Sequence, residues 1–183
     1  MLLALVPTTS VGDGDLKLSR MTALYQDVCL KAFPNDKAVE AIMLAQKARP
    51  LTADEVKVTM REDPARAWEL QDGSATVWIE FPPFHACSVR WNAPEVGDLS
   101  QYRTIADEYE RKTGGFTTAV TPYDADMDGI HIHAVGEQRG LGEGGTESLF
   151  IFDQHLTDPK RRAAGETGVV LRFVHQFAPP GSR

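Results

Sequence analysis

The clearest period in this chain is two. Ala75, Val77, Ile79 and Phe81 alternate with Thr76, Trp78 and Glu80. After Pro82-Pro83 the alternation resumes, with Cys87, Val89 and Trp91 on one side and Ala86, Ser88 and Arg90 on the other. Such alternation puts each set on one face of a strand, so Cys87 is expected on an apolar face. A shorter strand holding Trp68 and Leu70 comes first, and Asp72-Gly73 after it is a dipeptide favoured in tight hairpin turns. Further strands are predicted over 116–121, 130–135, 148–155 and 169–177. Their connections are rich in Gly, Asp or Pro and none is a helical crossover, so sequential strands should pair antiparallel.

Upstream the pattern changes to helical spacing. Over 22–33, Leu24, Val28 and Ala32 share a stripe, with Tyr25 and Cys29 beside it, and Pro34 stops the helix. Asn35 or Asp36 can cap a second helix to about residue 48, which Pro50 ends. A third starts at a capping box, Thr52 with Glu55, flanked by the apolar staple of Leu51 and Val56. It must stop near Asp63, because Pro64 disfavours helical geometry in the residue before it. Residues 13–20 are polar and read as a mobile lead-in. One long helix is predicted over 99–113, with Leu99, Tyr102, Ile105, Ala106 and Tyr109 at helical spacing. Asp98 with Gln101 offers a second capping box, and Gly114 a left-handed terminal cap. The expected fold class is therefore α+β: a curved antiparallel sheet of six or seven strands, one long helix packed on it, and an N-terminal helical segment covering an end or edge. Residues 13–178 read as a single globular domain, and 179–183 as a disordered tail.

Length and charge narrow the partners. The 183 residues are enough for one sizeable core. A formal charge of −7 and a pI near 5.2 argue against a nucleic-acid surface. No apolar run approaches the roughly 20 residues of a membrane-spanning helix. Residues 1–12 end in Ser10-Val11-Gly12, a small-x-small pattern, and look like the back half of a signal peptide with a truncated start. The alternative is the apolar terminus of a cytoplasmic protein. The chain has two cysteines, Cys29 and Cys87. An even count in an apparently exported chain predicts a disulfide that ties the helical third to the strand. Two independent buried thiols are the competing reading. The Cys-bearing helix that runs into Phe33-Pro34, followed by a strand with the second Cys, resembles small exported bacterial proteins of unknown function. That resemblance covers the first half of the chain. It implies a periplasmic or secreted location and no activity.

Candidate chemistry is sparse. Asp124, Asp126 and Asp128, followed by Gly129, match the first half of a calcium loop. The position of the closing bidentate Glu is Val135, so an exposed acidic loop with at most weak calcium affinity is expected. His131 and His133 would share one strand face and could give two imidazoles to zinc, copper or iron. Asp153, His155 or His175 could supply a third ligand. The glycine-rich stretch 140–145 lacks the helix and the Lys-Ser/Thr of a phosphate loop and reads as a hairpin loop. Neither a G-x-S-x-G elbow nor a C-x-x-C pair is present. Glu80, Glu147 and Asp153 are carboxylates of acid–base type that nothing in the sequence pairs. Trp78, opposite the apolar face, is a candidate contact for a partner. The leading expectation is a non-catalytic exported domain that binds a protein or surface ligand, without a cofactor. The alternative is a metal-dependent enzyme built on the strand-borne His pair.

Overall fold

A computed structural model describes residues 13–115, 118–166 and 168–181. The signal-peptide reading of 1–12 lies outside the described residues. Nine strands form one open antiparallel sheet. In chain order they are β1 (Arg49–Pro50), β2 (Ala65–Glu69), β3 (Thr76–Glu80), β4 (His85–Ala93), β5 (Thr118–Ala119), β6 (Tyr123–Met127), β7 (Ile130–Gly140), β8 (Thr146–Leu156) and β9 (Val169–Ala178). The spatial order is β1-β2-β3-β4-β9-β8-β7-β5, and β6 also pairs with β7. The α-helices among the described residues are α1 (Asp13–Tyr25), α2 (Asp36–Ala45), α3 (Ala53–Met60), α4 (Ser100–Thr113) and α5 (Pro159–Ala163). A π-helical stretch, Gln26–Ala32, continues α1. No helix among the described residues is long and apolar enough to cross a membrane.

The period-two reading of 75–91 places the core. Val77, Ile79, Cys87, Val89 and Trp91 are all buried and belong to one apolar cluster with Leu171, Phe173, Leu149 and Ile151. Phe173 of β9 is where the helical layers meet. Its ring lies 5.5 Å from Tyr25 of α1, 4.2 Å from Tyr102 of α4 and 4.8 Å from Trp91 of β4. The predicted disulfide is present. Cys29, in the π-helical stretch, is bonded to Cys87 of β4, with Cα atoms 5.4 Å apart and a sequence separation of 58. Both residues have no exposed surface.

Several expectations are corrected. Among the described residues the sheet has nine strands, not six or seven, because β1 and β6 carry no apolar alternation. More than one long helix packs on it: α1 with its π-helical continuation and α4 join the core, α2 adds Val39 and Met43, and α3 lies against β2. Residues 13–20 are not a lead-in but the first turns of α1, held by Leu18 and Met21, which extend the apolar stripe of Leu24 and Tyr25 towards the N-terminus. The Asp98–Gln101 capping box is absent. Asp98 instead accepts from the Ser100 backbone N–H at 2.9 Å and from its hydroxyl at 3.0 Å, a local Asx turn that leads into the helix. Gly114 does cap α4, at φ 103°, a conformation that a side chain would oppose. Of the tail, residues 179–181 are described and include a turn; 182–183 lie outside the described residues.

The box at α3 forms as read. The Thr52 N–H donates to the Glu55 carboxylate at 2.7 Å, and the Glu55 N–H to Thr52 Oγ1 at 3.3 Å. Thr52→Ala is expected to cost about 1 kcal/mol, seen as a lower urea midpoint with an unchanged slope. An unmoved midpoint would mean that the bidentate Arg49–Glu55 pair, at 3.0 Å on each arm, starts the helix without the cap.

Candidate functional site

α4 lies across one face of the β7–β8 half of the sheet and leaves a cleft of about 450 Å³ beside it. From the helix and its N-cap come Leu99, Tyr102, Ala106 and Glu110, spaced so that they form one stripe. From the strands come Val135 and Glu137 of β7 and, directly opposite them, Ile151 and Leu149 of β8. The walls are apolar and the charge is concentrated. Glu110 lies beside Glu137, and Asp107 adds to the negative field. Arg103 is the one basic residue of the lining. Burial, and then the neighbouring Glu137 carboxylate, push the Glu110 carboxyl up to about 7. A carboxyl that keeps its proton up to near neutrality can give it up when a cation enters the cleft and takes its place.

Behind the cleft is a closed polar network. Glu147 and His175 have no exposed side-chain surface. Their positions follow from register: Glu147 faces Arg139 across β7–β8, and His175 faces Leu149 across β8–β9. Glu147 Oε1 accepts from Tyr109 Oη at 2.5 Å and lies 2.7 Å from His175 Nε2, while Oε2 accepts from Arg139 Nε at 2.6 Å. Arg139 also donates to the Thr113 carbonyl at the end of α4. His175 Nδ1 is 2.7 Å from the Cys29 carbonyl, which can only accept, so this nitrogen donates. Burial raises the Glu147 carboxyl, but hydrogen bonds from His175, Tyr109 and Arg139 outweigh it and hold the group down at about 2. Burial, with the Glu147 carboxylate next to it, pushes the Tyr109 phenol well up. This network binds α4, three strands and the disulfide-bearing helix together. Its two central groups, Glu147 and His175, are closed to solvent.

The residues singled out from sequence are scattered over other positions. Asp124 and Asp126 are not in a loop but on β6, paired opposite His133 and His131 of β7. Only Asp128 is in the turn, with φ 52°, next to Gly129 with φ 76°. His131 Nδ1 is 3.0 Å from Asp126, His133 Nδ1 is 3.1 Å from Asp124, and His155 Nε2 is 2.7 Å from Asp153. His175 is far from them: it aligns with Glu137, six residues along β7 from His131, or about 20 Å of strand. Among the described residues no group of three or more His, Cys, Asp or Glu is arranged to hold a metal. The carboxylates of acid–base type each have a basic partner: Glu80 with Arg172, Glu147 with His175 and Asp153 with His155. Trp78 is not an exposed contact. It is 5% exposed, and its Nε1 donates to Thr76 Oγ1 at 2.8 Å.

Sequence reasoning singled out neither Glu110 nor Glu137. A signal existed for the first: Glu110 continues the inward stripe of Tyr102 and Ala106, where a carboxylate is out of place. Its partner comes from a strand 27 positions later and is brought to it only by the packing of α4 on β7. The chain matches no known protein-family model and no curated protein.

Proposed function

We propose that this chain is a non-catalytic exported domain that binds a partner protein by taking one of its basic side chains into the α4 cleft. The observation that carries the reading is the Glu110–Glu137 carboxylate pair set in largely apolar walls, where that pair and Asp107 together outweigh the single positive charge of Arg103. The aliphatic stem of a lysine or arginine suits those walls, and its charged head suits the pair. The cleft's volume, about 450 Å³, falls within the range of small-ligand pockets. The Cys29–Cys87 disulfide accords with an oxidising location.

The test uses n-butylamine, which is a lysine side chain without its backbone, against 1-butanol of the same length. The amine is expected to bind better at pH 8 than at pH 6 and to release a proton on binding near pH 7, measurable by calorimetry in buffers of different ionisation enthalpy. Equal binding of the alcohol would reduce the cleft to a greasy hollow and end the proposal. The same pair gives a stability signature. Glu110 titrates at about 7 in the fold against 4.5 in the unfolded chain. With the folded pKa raised, the stability tied to that proton is intact below 4.5 and is lost as pH rises through 7. Glu137→Gln removes the repulsion. It is expected to match the parent at pH 4 and to be more stable at pH 8 by about 1 kcal/mol, solvent screening of a partly exposed pair keeping the gain small.

A further inference from the structure

The sheet face away from α1 and α4 holds an arginine without an acceptor. Register sets Arg90 of β4 directly opposite Arg172 of β9. Like charges in that relation repel. Arg172 is relieved, since its guanidinium donates to Glu80 and lies 5.7 Å over the Phe152 ring. Arg90 has no such relief. It is half-buried, and no carboxylate, carbonyl or hydroxyl among the described residues accepts a hydrogen bond from it. Burial and the Arg172 charge both hold its pKa below the usual range. A guanidinium nevertheless stays charged, and none of its nitrogens is among the fully buried unpartnered atoms, so its donors face the hollow and can take an acceptor from it.

The surroundings of Arg90 are those of an anion site. It lines a hollow of about 310 Å³ together with Thr59, Ser74, Thr76 and Trp78. The carboxylate in that lining, Glu69, is already held by Arg49 at 2.7 Å. Thr76 Oγ1 accepts from the Trp78 indole, so its own proton is available to another acceptor. On the same face, two residues before Arg90 but outside the lining of the hollow, the Ser88 hydroxyl is buried and has no partner among the described residues. A planar fork of N–H donors with hydroxyls beside it matches an oxyanion, which it can grip bidentately.

We propose that this hollow binds a tetrahedral oxyanion, a phosphate or sulfate group, with Arg90 as the principal donor. The probes are inorganic phosphate, inorganic sulfate and acetate, titrated at constant ionic strength with chloride as the balancing anion. Tryptophan fluorescence reports occupancy, because Trp78 and Trp91 both line the hollow. A saturable change with phosphate or sulfate is expected, and the tighter of the two names the group. Arg90→Met keeps the apolar stem and removes the charge, so the dissociation constant should rise about tenfold or more, the loss expected for a charge-assisted hydrogen bond. Its melting temperature without anion should not fall, since the repulsion on Arg172 goes too. If Arg90→Met does not fold, Arg90→Lys carries the test: it keeps the charge, loses the fork, and should bind measurably more weakly. A response to acetate alone, no saturable response, or an unchanged constant in the folded variant would each overturn the proposal.

Discussion

Glu147→Gln is expected to destabilise the protein by about 3–5 kcal/mol, the usual cost of removing one partner from a buried charge pair. The change keeps the volume but leaves Arg139 and His175 facing a neutral amide. The loss should appear as a melting temperature roughly 10 °C lower, given the two to four degrees per kcal/mol typical of a chain this long. The linkage has a definite sign. The Glu147 carboxyl is depressed to about 2 from 4.5, so its contribution is present above 4.5 and is lost as pH falls towards 2. The variant and the parent should therefore converge in acid. The double variant Glu147→Gln/His175→Gln should lose less than the sum of the singles, because the two groups meet at 2.7 Å. A single variant that melts with its parent at neutral pH would show that the network is dispensable.

Removing the disulfide should have an effect of similar size. The Cys29–Cys87 bridge closes a loop with 58 residues of sequence separation. The chain-entropy estimate for such a loop is about 4 kcal/mol. The Cys29→Ser/Cys87→Ser double variant is expected to unfold at a lower denaturant concentration, with a smaller difference if its unfolded state keeps structure. The loss should extend to the cleft, because the His175 hydrogen bond to the Cys29 carbonyl connects the bridge to Tyr109 and α4. Weaker n-butylamine binding by the still-folded double variant would show that coupling. Binding and stability both unchanged would mean that the helix docks by packing alone.

The paired strands of 75–91 were legible because both of their faces follow a strict alternation and one face is wholly apolar. The disulfide was legible from the same pattern, since Cys87 fell on the core side and the helix before Phe33 carried the one other cysteine. The Thr52 box is a local device and needs no tertiary information. β6 was opaque for the opposite reason. Its strand character comes from hydrogen-bonding to β7, and its Asp124 and Asp126 side chains meet His133 and His131 at an exposed edge rather than entering a core. Read alone, the same residues look like half of a metal loop, and only Asp128-Gly129 behaves as a turn. Glu147 and His175 sat in plain view among Leu149, Ile151, Leu171 and Phe173. A charged residue at a core-facing position is a strong clue, but to use it one must know that β8 and β9 are neighbours.

The strand order has a consequence for how the molecule is made. β9 stands between β4 and β8, and its pairs with β4 begin at His85 opposite Phe177. Of the nine strands it is the last to leave the ribosome. Until it arrives, β4 and β8, nine and eleven residues long, are bare edges of two separate half-sheets, each with unpaired backbone donors and acceptors. Helix α1 and its π-helical continuation likewise wait for Phe173 and His175 to complete the surface they pack on. Assembly of this fold is therefore a closing event that waits for β9, and until then two long strand edges are open to pairing with other chains.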